Sequence, residues 1–227
     1  SPFALKLGVA GAIAICLGPS PAAAAPSAAQ AWPDDGPGPR TSERVSAGKR
    51  AAKWIACDVC LVRLRALYSK NYDEESFQAE IENVISEMLD SAKEACNMKA
   101  LADIFTKQNL ELFADLDGTI KVVRNMENPP SYDSFTDSEH AFHWKSFAIQ
   151  EACSEVFRKD GDKVADGLRQ SFADSAESPD ADVPTRVMLA ARAGCSRARA
   201  CKASMRMRAK AAASAPPPAS PDGKTDL

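Results

Sequence analysis

Apolar residues recur at helical spacing through most of the chain between residues 42 and 210. The clearest helix lies over 77–96, where apolar positions step by three and four residues and acidic residues occupy the remaining faces. The same periodicity predicts further helices over 42–69, 136–159 and 164–172, a short extension through 101–105, and a last helix from 184 onward. The sequence therefore predicts an all-α body.

Several residues are expected to set the ends of these helices. Thr136 and Glu139 have the spacing of a capping box that begins the third helix, and Gly161 is expected to end it. Gly167 weakens the fourth helix, and Pro184 is well placed to open the last one.

The apolar period changes from helical to alternating in one place. Alternation on both sides of Asp117-Gly118 predicts a small β-hairpin at about 111–124, because Asp-Gly is a strong two-residue turn signal. The expected fold class is thus an all-α helical bundle with one small β-hairpin insertion.

Six cysteines in the body have spacings typical of a disulfide framework. They are Cys57, Cys60, Cys96, Cys153, Cys195 and Cys201. In an oxidising compartment they predict three disulfides, although six cysteines allow 15 connectivities. If the first and last helices pack antiparallel, Cys57 meets Cys201 and Cys60 meets Cys195, which leaves Cys96 for Cys153. The last helix must then bend or end near 196–200, since three residues on one helix face six on the other.

Both ends of the chain differ in composition from the body. Residues 1–25 combine Lys6, a short apolar run and small residues, which predicts a secretory signal peptide. Residues 26–41 are expected to be a flexible linker, 42–210 the folded domain, and 211–227 a disordered tail.

Charge is distributed unevenly. Residues 71–182 contain 25 acidic and 10 basic residues, whereas 184–213 contain eight basic residues and no acidic one. We favour neutralisation of the acidic body by the basic last helix. A basic surface for an acidic partner or an anionic lipid is the alternative.

The candidate chemistry points to scaffolding rather than catalysis. Cys57-x-x-Cys60 lies within a helix rather than at a helix N-terminus after a strand, so structural disulfides are favoured over a redox motif. His140 and His143 alone make a weak metal site. The basic last helix has no aromatic residues for base stacking, so nucleic acid is not expected as a partner. We expect no enzyme activity, no metal and no cofactor.

Taken together, the Cys-Asp-Val-Cys on the first helix, the single cysteines on the second and third, and the Cys-x5-Cys near the end resemble the saposin-like family. In that family the nested cysteine pairing described above is the rule. The 56 residues between Cys96 and Cys153, with a β element inside, look more like its canopy branch, the MIR-interacting saposin-like proteins. Glu94-Ala95-Cys96 and Glu151-Ala152-Cys153-Ser154-Glu155 support that resemblance.

The C-terminus resembles an endoplasmic reticulum retrieval signal. Lys224-Thr225-Asp226-Leu227 matches the Lys-Asp-Glu-Leu type, except that Thr225 replaces an acidic residue. The resemblance to canopy proteins implies a luminal co-chaperone that binds secretory or receptor clients, beside a larger chaperone. The alternative is a saposin-like lipid-binding protein that is secreted.

The expected partner contacts lie in two places. They are the hairpin, with Asp115, Lys121 and Arg124, and the basic last helix, with Arg197, Arg199 and Arg206.

Overall fold

The computed structural model of the protein describes residues 32–34, 36–71, 77–90, 96–115, 118–130, 142–175 and 183–214. The helices in these ranges are α1 (Ser42–Asn71), α2 (Phe77–Asp90), α3 (Met98–Lys107), α4 (Trp144–Ser175), α5 (Val183–Arg197) and α6 (Arg199–Ser214). The strands are β1 (Leu110–Ala114) and β2 (Ile120–Arg124). The predicted helical body with a small hairpin is confirmed.

Helix α1 occupies the centre of the fold, because it packs against each of the other five helices and against β2. Its buried stripe begins with alanines, including Ala47 and Ala51, and continues through Ile55, Val59 and Leu64. The small side chains in the first half allow α4 and α6 to approach closely, and the larger ones fill the core further along.

Helix α4 consists of two helical halves that meet at a kink. Asp160 has non-helical backbone angles, with φ at −133° and ψ at 19°, so the predicted helix end at Gly161 is confirmed to within one residue, although the chain resumes the helix at once and reaches Ser175. The side chain of Asp160 accepts hydrogen bonds from Arg199 and Lys163, and these contacts stabilise the kink. The expected fourth helix is thus the second half of α4.

The last helix is interrupted where the sequence required a bend. Helix α5 ends at Arg197 and α6 begins at Arg199, so that Ala198 lies at the break. The N–H of Ala198 donates to the carbonyl of Cys195, a tighter turn than the helical one. This break lets both α5 and α6 lie along α1.

The hairpin has the predicted position. Strands β1 and β2 are antiparallel, with Leu112 opposite Val122 and Phe113 opposite Lys121. The turn that joins them includes Gly118 at φ 80°, in the left-handed region that glycine tolerates. Leu112 and Ile120 are buried, so one face of the hairpin packs on the helical body.

The described part of the expected N-terminal linker is packed against the start of α4. Trp32 stacks on Trp144 with ring centroids 5.5 Å apart, and Gly38 pairs with Phe142 in an isolated β-bridge. The indole N–H of Trp144 donates to the carbonyl of Asp34. The ordered body therefore includes these residues before position 42.

Several predictions fall outside the described residues: the signal peptide, Asp117 of the turn, the capping box at 136 and 139, His140, the tail beyond 214 and its terminal Lys224–Leu227. Among the residues that are described, no helix is both long and apolar enough to cross a membrane.

Candidate functional site

Two disulfides fasten the helical body. Cys60 of α1 is bonded to Cys195 of α5, and Cys153 of α4 is bonded to Cys96, with S–S distances of 2.02 and 1.99 Å. All four cysteines are buried. These are two of the three predicted pairs.

The third predicted disulfide, Cys57–Cys201, is not confirmed. Cys57 lies on α1 and Cys201 on α6, two helices that pack together, and both cysteines are free thiols close enough to shift each other's pKa. A bond between these two cysteines stays a prediction.

The two thiols differ in their environment. The pKa of Cys57 is lowered, mainly because the neighbouring Cys201 favours its thiolate and, to a smaller extent, because Arg208 is close; burial and Asp58 oppose this shift. The pKa of Cys201 is raised, because the neighbouring Cys57 and burial both disfavour its thiolate. Cys57 is only partly buried. The pair therefore has one accessible, more acidic thiol and one buried, less acidic thiol.

Asp58, next to Cys57, connects three elements. Its carboxylate accepts two hydrogen bonds from the guanidinium of Arg208 on α6, one of them at 3.0 Å, and lies 3.4 Å from the backbone N–H of Val122 on β2. Arg208 also donates to the carbonyl of Trp54 at 2.9 Å, and Ser204 donates to the same carbonyl. The contact between α1 and α6 therefore includes polar groups of α1 both before and after Cys57.

The hairpin residues expected to contact a partner divide into two groups. Asp115 and Lys121 form an ion pair beside the turn, and Thr119 donates to the same carboxylate at 3.4 Å. Arg124 is exposed at the other end of β2, opposite Leu110. Asp115 and Lys121 thus stabilise the hairpin, and Arg124 lies apart from them.

The basic residues of the last helix also divide into groups. Arg199 binds the buried carboxylate of Asp160 through its backbone N–H at 2.8 Å and its Nε at 3.0 Å. Arg197 donates to the side chain of Gln170. Arg206 is exposed, and within the described residues no ion pair holds it. The favoured neutralisation by the acidic body thus applies to Arg199, which pairs with Asp160. Arg208 is paired instead with Asp58 of α1, outside the acidic stretch 71–182.

A cleft of about 560 Å³ lies among α1, α4 and α6. Its lining is mainly apolar and includes Ala52, Ala56, Ala200, Ala203 and Met207. Two lysines and two glutamates are the charged residues of its lining: Lys49, Lys53, Glu151 and Glu155. Clefts of this volume are common for small ligands.

Sequence reasoning missed Asp58, Asp160 and Arg208 as organising residues. Asp58 lies between the two cysteines of Cys-x-x-Cys, a motif in which only the cysteines suggest chemistry. Asp160 directly precedes Gly161, the predicted end of the third helix. One sequence signal could have identified them. An acidic residue at the edge of an apolar stripe becomes partly buried and then needs a basic partner, which another helix can provide.

A search of protein-family models, of curated proteins and of solved structures found no match to this chain. The residues that the structure describes contain no group of three or more His, Cys, Asp or Glu side chains that could hold a metal ion.

Proposed function

We propose that this protein is a luminal adaptor of the endoplasmic reticulum that binds secretory or receptor proteins and assists their folding or trafficking. Its binding surface is the outer face of the hairpin. That face is defined by Glu111, Phe113, Lys121 and Val123, which alternate with the inward-facing residues of the two strands.

The observation that carries this proposal is the exposure of Phe113. Its side chain is 49% exposed, whereas its strand neighbour Leu112 is buried. Val123 lies diagonally across from it on the same face, and cross-strand neighbours at this spacing are within reach of an aromatic side chain. Met126, just after β2, is 70% exposed. Exposed apolar residues near one another on a polar surface are typical of protein contacts.

The inner face of the hairpin packs against the helical body. That face is buried through Leu112 and Ile120, and Asp58 of α1 reaches the N–H of Val122. The ion pair of Asp115 with Lys121 is next to the turn. A binding face on a supported hairpin loses little conformational entropy when a partner binds, which favours affinity.

The compartment in this proposal depends on the sequence. The apolar N-terminal segment, the retrieval-like Lys224–Leu227 and the resemblance to canopy proteins all favour the endoplasmic reticulum lumen. Two disulfides are consistent with an oxidising compartment. A larger luminal chaperone would be a further partner by the same resemblance.

The proposal is tested by crosslinked capture of the tagged protein from the secretory pathway, compared between two variants. Phe113→Ser removes the exposed aromatic residue of the hairpin, and Leu189→Ser removes a residue of α5 that is 52% exposed. We expect Phe113→Ser to lose the co-captured secretory proteins and Leu189→Ser to retain them. Equal capture by the two variants would contradict the hairpin as the binding surface.

The cleft supports a second candidate, the binding of an amphipathic lipid. Its apolar lining suits an acyl chain, and Lys49 and Lys53 suit an anionic headgroup. The test is sedimentation with vesicles of phosphatidylserine and phosphatidylcholine, comparing the wild type with Ala203→Glu, which places a charge in the lining. Binding that Ala203→Glu abolishes and Phe113→Ser leaves unchanged would favour lipid over the adaptor function.

A further inference from the structure

The segment 32–38, which precedes α1, lies in a site that α1 and the start of α4 build for it. The ring of Trp32 stacks on that of Trp144, with centroids 5.5 Å apart and planes 6° apart. The guanidinium of Arg50 on α1 lies over the Trp32 ring, 5.2 Å from its centroid. An aromatic ring and a cation thus hold this side chain, and both kinds of contact favour an aromatic residue at this position.

The rest of the segment is bound through every second carbonyl group. The indole N–H of Trp144 donates to the carbonyl of Asp34 at 3.2 Å, and the guanidinium of Arg44 donates to the carbonyl of Gly36 at 2.8 Å. The backbone N–H of Phe142 donates to the carbonyl two residues further on, at 2.7 Å. A period of two is that of an extended chain. The site therefore recognises the main chain of an extended peptide and one aromatic side chain.

The present anchor of the site is imperfect. Trp32 packs against the hydrophobic core, but its indole N–H is buried and has no hydrogen-bond partner within the described residues. A buried donor without an acceptor weakens the packing that buries it. A phenylalanine ring has no such donor, so the site also suits aromatic anchors other than the one it holds.

Little else fastens the segment to the body. Both disulfides lie elsewhere in the fold. Three prolines and two glycines prevent regular secondary structure, so the segment has no helix or longer strand that would resist its release: Pro33, Gly36, Pro37, Gly38 and Pro39. Such segments at the edge of a domain open locally while the remainder stays folded.

We propose that Arg44, Arg50, Phe142 and Trp144 form a second binding site, which takes extended segments of incompletely folded proteins that carry an aromatic anchor. The segment 32–38 is its built-in competitor. A peptide in solution binds when that segment has left the site. This inference depends neither on the hairpin nor on the proposed adaptor function.

The competition gives a quantitative relation. A segment tethered this close to its site has an effective concentration of about 1 mM. If the same segment binds as a free peptide with a dissociation constant Kd, its tethered copy weakens the binding of a competitor by a factor of about 1 + 1 mM/Kd. A free peptide with a Kd of about 100 µM would thus bind the occupied site about tenfold more weakly than the open one.

The experiment uses the synthetic peptide of residues 30–40 of this chain, labelled with a fluorophore and followed by fluorescence anisotropy. It is titrated with the full-length wild type and with Trp32→Ala, whose competitor has lost its anchor. A second peptide with alanine in place of the tryptophan is the control for the anchor.

We expect the first peptide to bind Trp32→Ala and to bind the wild type about tenfold more weakly, and the alanine peptide to bind neither protein. Three results would overturn the proposal. They are an absence of binding to Trp32→Ala, equal binding to the variant and the wild type, and equal binding of the two peptides.

A third peptide tests whether the site takes segments of other proteins. It carries phenylalanine as the anchor and serine or threonine at the other positions, so only the main chain and one aromatic ring remain to be recognised. It should bind Trp32→Ala within about tenfold of the first peptide. If it does not bind, the site is reserved for the protein's own segment and the proposal is wrong.

Two variants locate the binding site, each made together with Trp32→Ala. Arg50→Ala removes the cation over the ring, and Lys49→Ala removes a neighbouring exposed charge on the same turn of α1. The first should weaken peptide binding at least about threefold, whereas the second should leave it within about twofold. Equal weakening by both would show a general attraction of charges and contradict the site.

The opening of the segment is measured separately in the wild type by hydrogen exchange. The indole proton of Trp144, which donates to the carbonyl of Asp34, should exchange at a rate that low concentrations of urea leave unchanged, because a local opening exposes it. Exchange only through global unfolding would overturn the proposal. This measurement decides by itself if Trp32→Ala fails to fold.

Discussion

Asp160 is the buried acid that connects α4 with α6. Its side chain is 2% exposed and accepts hydrogen bonds from Lys163 and from the backbone N–H and side chain of Arg199. Burial tends to raise the pKa of Asp160, but the hydrogen bonds from Lys163 and Arg199 together outweigh burial and lower the pKa below its ordinary value of 3.8. The folded protein therefore favours the ionised carboxylate.

Replacing Asp160 with Asn should lower the free energy of unfolding by about 1–3 kcal/mol, because Asn keeps one acceptor oxygen but no charge for Arg199 and Lys163. Urea unfolding at pH 7 measures this loss. A folded pKa below the unfolded one means that the carboxylate stabilises the protein above the unfolded value and that this contribution is lost as the pH falls below about 4.

The wild type should therefore lose more stability than Asp160→Asn between pH 5 and pH 2.5. Glu82→Gln is a suitable comparison, because Glu82 also has a lowered pKa through its hydrogen bond to Arg169 but lies on an exposed helix surface. Its effect at pH 7 should stay within about 1 kcal/mol. A pH dependence in Asp160→Asn identical to that of the wild type would contradict the role assigned to Asp160.

At the scale of elements, two glycines determine how α4 crosses α5. A Cβ atom at Gly167 would lie 2.9 Å from both the carbonyl oxygen of Ala193 and the Cα of Gly194, and a Cβ at Gly194 would lie 3.1 Å from the carbonyl oxygen of Val164. The two helix backbones thus approach one another most closely at Gly167, where a Cβ would overlap backbone atoms of α5, whereas a Cβ at Gly194 would be tightly packed. From helix propensity alone, Gly167 is only a weakness of its helix.

Gly167→Ala should destabilise the protein by about 1–3 kcal/mol, because overpacking against the backbone outweighs the gain of up to about 1 kcal/mol in helix propensity. Gly161→Ala is the matched control in the same helix, since its Cβ would meet only a methyl group of Leu89 at 3.1 Å, which can move. Thermal or urea unfolding measures both. A Gly167→Ala protein more stable than the wild type would show that the helices can separate at low cost.

The disulfides allow a second prediction at this scale. Cys60–Cys195 closes a long loop and is worth up to about 5 kcal/mol in the loop-length model, whereas oxidising Cys57 and Cys201 inside it should add at most about 3 kcal/mol. Urea unfolding measures both effects. The gain in the free energy of unfolding when Cys57 and Cys201 of the wild type are oxidised should be the smaller one. The loss from the wild type to the Cys60→Ser/Cys195→Ser double variant, with Cys57 and Cys201 reduced in both, should be the larger one. A gain on oxidation larger than that loss would contradict the nested arrangement.

The sequence predicted the elements and their interruptions better than the contacts between them. Periodicity and turn chemistry identified α1 and the hairpin, and the unequal spacing of the cysteine pairs predicted the break between α5 and α6. Gly161 marked the kink of α4 to within one residue, but the hydrogen bonds from Arg199 to Asp160 at that kink come from a different element and were not predicted. The packing of Trp32 on Trp144 was not predicted either. Trp32 lies in a stretch rich in Pro and Gly, more than 100 positions before Trp144, and no local pattern connects the two.

At the scale of the whole molecule, the basic last helix presents two kinds of charge. Arg199 and Arg208 are paired with Asp160 and Asp58, on the side of α6 that faces the body. The outward face of α6 consists of Lys202, Arg206 and Lys210, which are one turn apart and exposed. Composition revealed the charge asymmetry, but only the packing shows which residues remain for a partner.

Replacing Lys202, Arg206 and Lys210 together with Ala should change the free energy of unfolding by less than about 1 kcal/mol, since exposed charges contribute little. Arg208→Ala should cost about 1–3 kcal/mol, because it removes the guanidinium from Asp58, whose half-buried carboxylate then has, among the described residues, only the N–H of Val122 as a donor. Urea unfolding distinguishes the two. A large loss in the triple variant would show that the outward charges also hold the fold.

The most direct test of the proposed function places a photoreactive amino acid at position 113 of the protein in the secretory pathway of cells, with position 189 on α5 as the exposed control. The account predicts crosslinks from position 113 to newly synthesised secretory or receptor proteins and few or none from position 189. Equal crosslinking from both positions, or crosslinks from position 113 to lipid alone, would contradict the hairpin as a client-binding surface.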